Sequence, residues 1–121
     1  MTGLIQHEER FATATTEDAS RLLHLSDRQL GAAIGVSRRT VQRYRHGESA
    51  PRQAQRERLE SLNVMLHTLR QAFEGDEERL RSWLHTPAPA LGGRTPHALL
   101  LQGEFDTIAE TLAAALSGAH Q

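Results

Sequence analysis

The chain has 121 residues, a net charge of −1 and 38% apolar content, enough for one compact domain or two very small ones with a modest core, and too little for a large enzyme with a deep pocket. It has no cysteine, which excludes disulfides, thiolate metal sites and a cysteine nucleophile, and no apolar run reaches the length of a membrane span or a signal-peptide core, so a cytoplasmic location is expected. All fourteen basic residues are arginine, while Ala, Leu, Arg, Glu and Gln dominate over β-branched and aromatic residues, which predicts an all-α fold.

Residues 1–14 show no sustained hydrophobic period and no cap, the pattern of an arm or a weak first helix. Thr16 precedes the acids Glu17 and Asp18, and Leu22, Leu23 and Leu25 supply the apolar side of a short helix. Ser26 opens the next element, with Gln29 three residues on completing a capping-box signature, and Leu30, Ala33 and Ile34 form its buried face. Gly35 ends it, Ser37 caps the following helix, Val41 and Tyr44 point inward, and Gly47 closes it. Two short helices around a tight glycine turn make a helix-turn-helix.

Pro51 suits the first position of a long helix, on which Leu59, Leu62, Leu66, Leu69 and Phe73 recur at three- and four-residue steps. Asp76 caps a helix carrying Leu80, Trp83 and Leu84, and the Pro87-Ala88-Pro89 segment ends it. Trp83, in phase with these leucines, reads as core rather than as a ligand contact. Leu91-Gly92-Gly93-Arg94 reads as a turn, and Thr95-Pro96 starts a short apolar helix that Gly103 ends. A last helix directs Phe105, Ile108, Leu112, Ala115 and Leu116 inward. The expected organisation is thus an arm or weak helix over 1–14, a helix-turn-helix domain over 15–58, and a C-terminal helical domain over 59–121 reached through the long helix.

Charge is segregated along this order. Residues 26–58 hold eight arginines against three carboxylates, a net +5, whereas residues 1–25 carry −2 and residues 59–121 carry −4. One segment is suited to phosphate and the others would be repelled by it. In a DNA-binding helix-turn-helix the second helix enters the major groove. With Val41 and Tyr44 turned inward, Ser37, Arg38, Arg39, Thr40, Gln42, Arg43 and His46 are the candidate DNA contacts. Arginine can take both acceptors of a guanine edge, glutamine can pair with adenine, and Ser37 with the helix N-terminus can hold a phosphate. The bland alternative is a helix-turn-helix used for packing with solvated arginines, but no acid interrupts the run from Arg28 to Arg45. Arg52, Arg56 and Arg58 fit either phosphate contact or an ordinary helix surface. One module of this size is expected to act as a homodimer on a two-fold operator, with the long helix or the acidic half as the contact.

Other chemistry is thin. The seven histidines show neither an HExxH arrangement nor a finger spacing, and the Gly-Gly-Arg-Thr-Pro stretch lacks the Lys-Ser/Thr of a phosphate loop, so no metal, cofactor or catalytic residue is expected.

The stretch from Leu25 to Arg52 resembles the Xre/Cro-type helix-turn-helix, with Leu30, Gly35, Val36, Ser37, Val41, Tyr44 and Gly47 at the positions that family fills alike; Gly31 stands where alanine is usual. The second half resembles the toxin-binding domain of the Xre/MbcA/ParS antitoxins through Phe73, Trp83-Leu84, Pro87, Leu91-Gly92-Gly93, Thr95-Pro96, Leu99-Leu100, Gly103, Ile108, Leu112 and Gly118. It departs from that pattern at Ala88-Pro89, where asparagine often follows the proline, and in the short tail after Gly118. The resemblance implies a type II antitoxin, not an enzyme, that neutralises a RES-domain toxin degrading NAD and represses its own operon. It places toxin contact at Arg94, Thr95, His97, His120 and Gln121. A stand-alone Xre-like regulator whose C-terminal half only dimerises is the alternative.

Overall fold

The computed structural model describes residues 2–118, with side chains described from 6 to 117. Among the described residues there are seven α-helices and one short 3-10 turn: α1 (Thr2–Leu23), α2 (Asp27–Ile34), α3 (Arg38–Arg45), α4 (Gln53–Phe73), α5 (Glu77–Leu84), the 3-10 turn Pro89–Leu91, α6 (Pro96–Leu101) and α7 (Phe105–Gly118). No strand occurs among the described residues. No helix among them is long and apolar enough to cross a membrane.

Most boundaries follow from local chemistry. The Ser26 hydroxyl accepts from the Gln29 amide at 3.1 Å while the Gln29 side chain accepts from the Ser26 amide at 3.0 Å, the reciprocal bonds of a capping box. Asp76 and Thr95 cap α5 and α6 by accepting from Arg79 and Ala98, each at 3.1 Å. Pro96 occupies the first position of α6 as its missing N–H allows.

Three elements differ from the sequence expectation. Thr16 does not precede a new helix: it lies within α1, which runs unbroken from Thr2 through the segment read as an arm or a weak first helix. Its hydroxyl, fully buried, donates to the Ala12 carbonyl at 2.7 Å. The buried positions Ala12, Thr15, Thr16, Ala19, Leu22 and Leu23 do keep a helical period, but alanine and threonine fill four of these six, which leaves little hydrophobic signal to read. Pro51 is not the first residue of α4. It is buried one residue before the N-cap Arg52, in a wall shared with His7, Glu8 and Phe11 of α1, so its ring serves packing rather than helix initiation. Ala115 and Leu116, expected inward, are exposed, because the buried side of α7 ends at Leu112.

The core is continuous from α1 to α7. Leu59, Leu62, Met65, Leu66 and Leu69 of α4 are all fully buried, with α1, α5 and α7 packed around the helix. At about 1.5–3 kcal/mol for each fully buried large side chain, this stripe alone rivals the net stability of a small domain, before chain entropy is subtracted. Where α1, α4 and α5 meet, charge adds a surface link: Asp18 bonds both Arg70 and Arg21, and Glu77 lies 3.9 Å from Arg21 and 3.5 Å from Arg81. Such partly exposed pairs contribute little each and serve mainly to fix orientation.

Since α4 belongs to both halves, Leu66→Ala is expected to cost about 2–5 kcal/mol and to lower both halves together. Denaturant titrations followed separately by Tyr44, in α3, and Trp83, in α5, should give coincident curves shifted to the same lower midpoint.

Candidate nucleic-acid interface and partner-binding half

The turn between α2 and α3 is set by two glycines for different reasons. Gly35 adopts φ 79°, a left-handed conformation that side chains disfavour, and its amide and that of Val36 both donate to the Gly31 carbonyl at 2.8 and 2.9 Å. Gly31 is helical, but a Cβ there would lie 2.6 Å from the Val36 carbonyl oxygen. The departure from alanine at this position is therefore a requirement of this backbone: the start of α3 comes closer to α2 than a methyl group permits.

Ser37 then caps α3, accepting from the Thr40 amide at 3.1 Å, with the two hydroxyls 3.0 Å apart. Val41 and Tyr44 are buried as expected, and burial pushes the Tyr44 phenol up from its usual range. The end of α3 is held by α1, whose Thr13 hydroxyl donates to the Tyr44 carbonyl at 2.5 Å.

What remains outward is Arg38, Arg39, Gln42, Arg43 and His46, all exposed, with Arg39, Gln42, Arg43 and His46 at three- and four-residue spacing along one stripe. His46 folds back so that Nδ1 lies 2.7 Å from the Gln42 carbonyl. Ser37 and Thr40 stand at the start of the stripe with their hydroxyls engaged in the cap. Arg45, half-buried, is paired with Asp27 at 2.6 Å, so three of the four clustered arginines are exposed and outside any ion pair among the described residues. Of the further arginines, Arg56 pairs with Glu8 at 2.8 Å and Glu60 at 3.3 Å, and Arg58 donates to the Ala33 carbonyl at 3.3 Å. Arg28, on α2, and Arg52 are exposed and add to the positive charge of the module. Only the charge of the 26–58 segment signalled Arg28 in the sequence.

In the other half, Arg94, Thr95 and His97 come together at the entrance to α6. The loop before them is closed by the Ala88 amide donating to the Arg94 carbonyl and the Gly93 amide donating to the Ala88 carbonyl, each at 3.0 Å. Pro89, where the family pattern is broken, starts the 3-10 turn inside this loop. The Arg94 guanidinium, exposed, donates to the Leu91 carbonyl at 3.2 Å and lies 3.6 Å from Glu104. The Thr95 hydroxyl is engaged in its cap. His97 packs against His85 with ring centroids 4.5 Å apart, and its Nδ1 is buried without a hydrogen-bond partner. Burial, followed by the neighbouring His85, lowers its pKa from the ordinary histidine value. His120 and Gln121 lie outside the described residues. Trp83 is half-buried against Phe73 at 5.7 Å, in agreement with a packing role. No group of three histidines or carboxylates capable of holding a metal occurs among the described residues.

A recognition-helix module sharing its core with an all-helical C-terminal half defines a helix-turn-helix protein with an added helical domain. Residues 7–63 match the antitoxin Xre-like helix-turn-helix domain, and residues 68–118 match the antitoxin Xre/MbcA/ParS C-terminal toxin-binding domain. The chain belongs to the Xre/MbcA/ParS antitoxins, which are binding proteins and not enzymes. Among solved structures it is similar to a chain of the M. tuberculosis MbcT-MbcA toxin-antitoxin complex, with a TM-score of 0.66 and 24% identity over 88% of this chain and 94% of that one, a likeness in fold. No curated protein sequence matches it.

Two outcomes follow from this geometry. Gly31→Ala is expected to lower the melting temperature, although alanine favours helix by about 1 kcal/mol, because the methyl must displace backbone rather than a mobile side chain. For His97 the folded-state pKa lies below the unfolded value near 6.5, so the unfolded chain binds more protons in acid. Its contribution is full above that value and falls away as pH drops from there through the folded pKa. Imidazole titration by NMR should place His97 below ordinary histidines, and His97→Leu should flatten the acid-side fall in denaturation midpoint.

Proposed function

We propose that this antitoxin binds and neutralises a RES-domain toxin that degrades NAD, and that it represses its own operon through α3 as a cytoplasmic homodimer. The observation that carries the DNA part is the outward stripe Arg39, Gln42, Arg43 and His46 beside Arg38, on a helix whose inward residues are fully packed. Arg39 and Arg43 are assigned to guanine edges or phosphates, Gln42 to an adenine edge, Ser37 and Thr40 to the backbone at the helix start, and His46 to the far end of the stripe. Two copies on half-sites about 34 Å apart would supply the specificity a single short helix lacks. The net +5 of residues 26–58 favours approach to DNA, while the net −4 of residues 59–121 leaves the other half free for a protein.

For the toxin, support comes from the toxin-binding family match over residues 68–118, while the RES-domain identity of that toxin rests on the resemblance carried by the sequence, a helix-turn-helix followed by a toxin-binding half. The MbcT-MbcA complex gives a structural precedent for a toxin bound to a protein of this fold. Arg94, Thr95 and His97, gathered at the start of α6, are assigned to the contact together with the tail residues His120 and Gln121.

Arg39→Glu with Arg43→Glu is expected to abolish binding to DNA upstream of the chain's own reading frame. Single alanine substitutions at phosphate contacts should reduce the salt dependence of binding by about one unit of slope each. Co-expression with the neighbouring reading frame should relieve its toxicity and the two proteins should co-elute. A neighbour that is harmless alone would leave the stand-alone regulator as the better reading, and toxicity that persists would overturn the antitoxin–toxin pairing.

A further inference from the structure

The turn between α6 and α7 belongs to the toxin-binding half, yet it lies against the helix-turn-helix. Gly103 makes that turn at φ 76°, and a Cβ there would stand 2.6 Å from the Ala33 carbonyl oxygen of α2 and 2.5 Å from Nη1 of Arg58. Arg58, on the first turns of α4, donates through the same Nη1 to that Ala33 carbonyl at 3.3 Å. Its Nε and Cζ lie 3.9 Å from where a Cβ on Gly35 would be. One guanidinium thus touches the last turn of α2, the glycine that starts the turn into α3, and the α6–α7 turn.

The Ala33 carbonyl is one of the acceptors a helix leaves unpaired at its C-terminal end. Its ordinary helical donor would be the amide of residue 37, but the chain has already turned at Gly35, so Arg58 supplies a donor from another helix. No described carboxylate lies within ion-pair distance of Arg58, in contrast to Arg45, Arg56 and Arg70. Although Arg58 is an exposed residue, the end of its guanidinium lies between the Ala33 carbonyl and Gly103, oriented for holding backbone.

We infer that Arg58 and Gly103 form a brace that sets the position of the α2–α3 turn, so that the C-terminal half controls the DNA affinity of a surface it does not touch. Arg58 is in this view a positioning residue, separate from the outward arginines of α3. The inference rests on the DNA-binding reading above, and it distinguishes two roles for an arginine within the basic segment. A phosphate contact acts by charge, and lysine replaces it in part. The brace needs the planar reach of the guanidinium, and lysine does not replace it.

The test uses the full chain and labelled duplexes tiling the DNA upstream of its own reading frame. Arg58→Met and Arg58→Lys should both weaken binding by about tenfold with the salt slope unchanged. Gly103→Ala should weaken it too, although the residue lies in the other half. Amide hydrogen exchange at Gly35 and Val36 should accelerate in all three variants while α4 stays protected, which separates loss of the brace from loss of folding. A salt slope lowered by about one in Arg58→Met, with affinity retained in Arg58→Lys, would make Arg58 a phosphate contact and overturn the proposal. Unchanged affinity in the Arg58 variants, alongside loss in Arg39→Glu/Arg43→Glu, would overturn it as well. Were that double variant also to bind normally, the DNA reading would fail on its own, and unaltered exchange at Gly35 and Val36 would then overturn the brace.

Discussion

The buried stripe of α4 is the constraint on which the rest of the molecule depends. Leu59, Leu62, Met65, Leu66 and Leu69 are excluded from water only because α1 lies along one side of the helix and α5 and α7 along others. Neither half of the chain buries these residues alone. A protein of 121 residues has little apolar surface to spare, and sharing one helix between two functional halves gives a single larger core in place of two marginal ones. The boundary between the two matched domains, between residues 63 and 68, accordingly falls inside α4, where no linker exists.

This shared core ties the two surfaces together mechanically. The recognition helix is fixed at its start by the cap at Ser37 and the close approach at Gly31, and near its end by Thr13 and the Asp27–Arg45 pair. Apart from the local cap, these restraints come from α1 and α2, so the orientation of the outward stripe is a property of the assembled domain. Arg45, Arg56 and Arg58 are each bonded to another element, whereas Arg38, Arg39 and Arg43 make no ion pair among the described residues.

The partner-facing half works on a different balance. Its loop is compact because two backbone bonds close it around Ala88 and two glycines supply left-handed turns at Gly92 and Gly93. The His85–His97 contact lies beside it, with a ring nitrogen buried and unpaired, a polar atom held dry by packing. Beyond Leu112, α7 leaves the core with apolar side chains still on it: Ala113, Ala114, Ala115 and Leu116 are all exposed. Helical periodicity alone placed Ala115 and Leu116 inward, because periodicity describes which way a side chain points and not whether anything stands opposite.

That difference separates what was legible in the sequence from what was not. Caps, turns and the leucine stripe depend on residues within a few positions of each other, so Ser26 with Gln29, Gly35, Ser37, Asp76, Thr95-Pro96 and the α4 heptad-like leucines could be read directly, as could the outward arginines of α3. The same local rules missed the unbroken α1, whose buried side is built from small and hydroxylated residues, and mistook Pro51 for a helix start. Ion pairing and close approach join residues 18 to 70 positions apart: Asp27 with Arg45, Glu8 with Arg56, Gly103 with Ala33. No local pattern encodes these pairs. The sequence by itself determined which elements form and which carry charge, because those depend on neighbours along the chain. Only the tertiary structure decided which charges remain free and where the two halves touch, because those depend on neighbours in space.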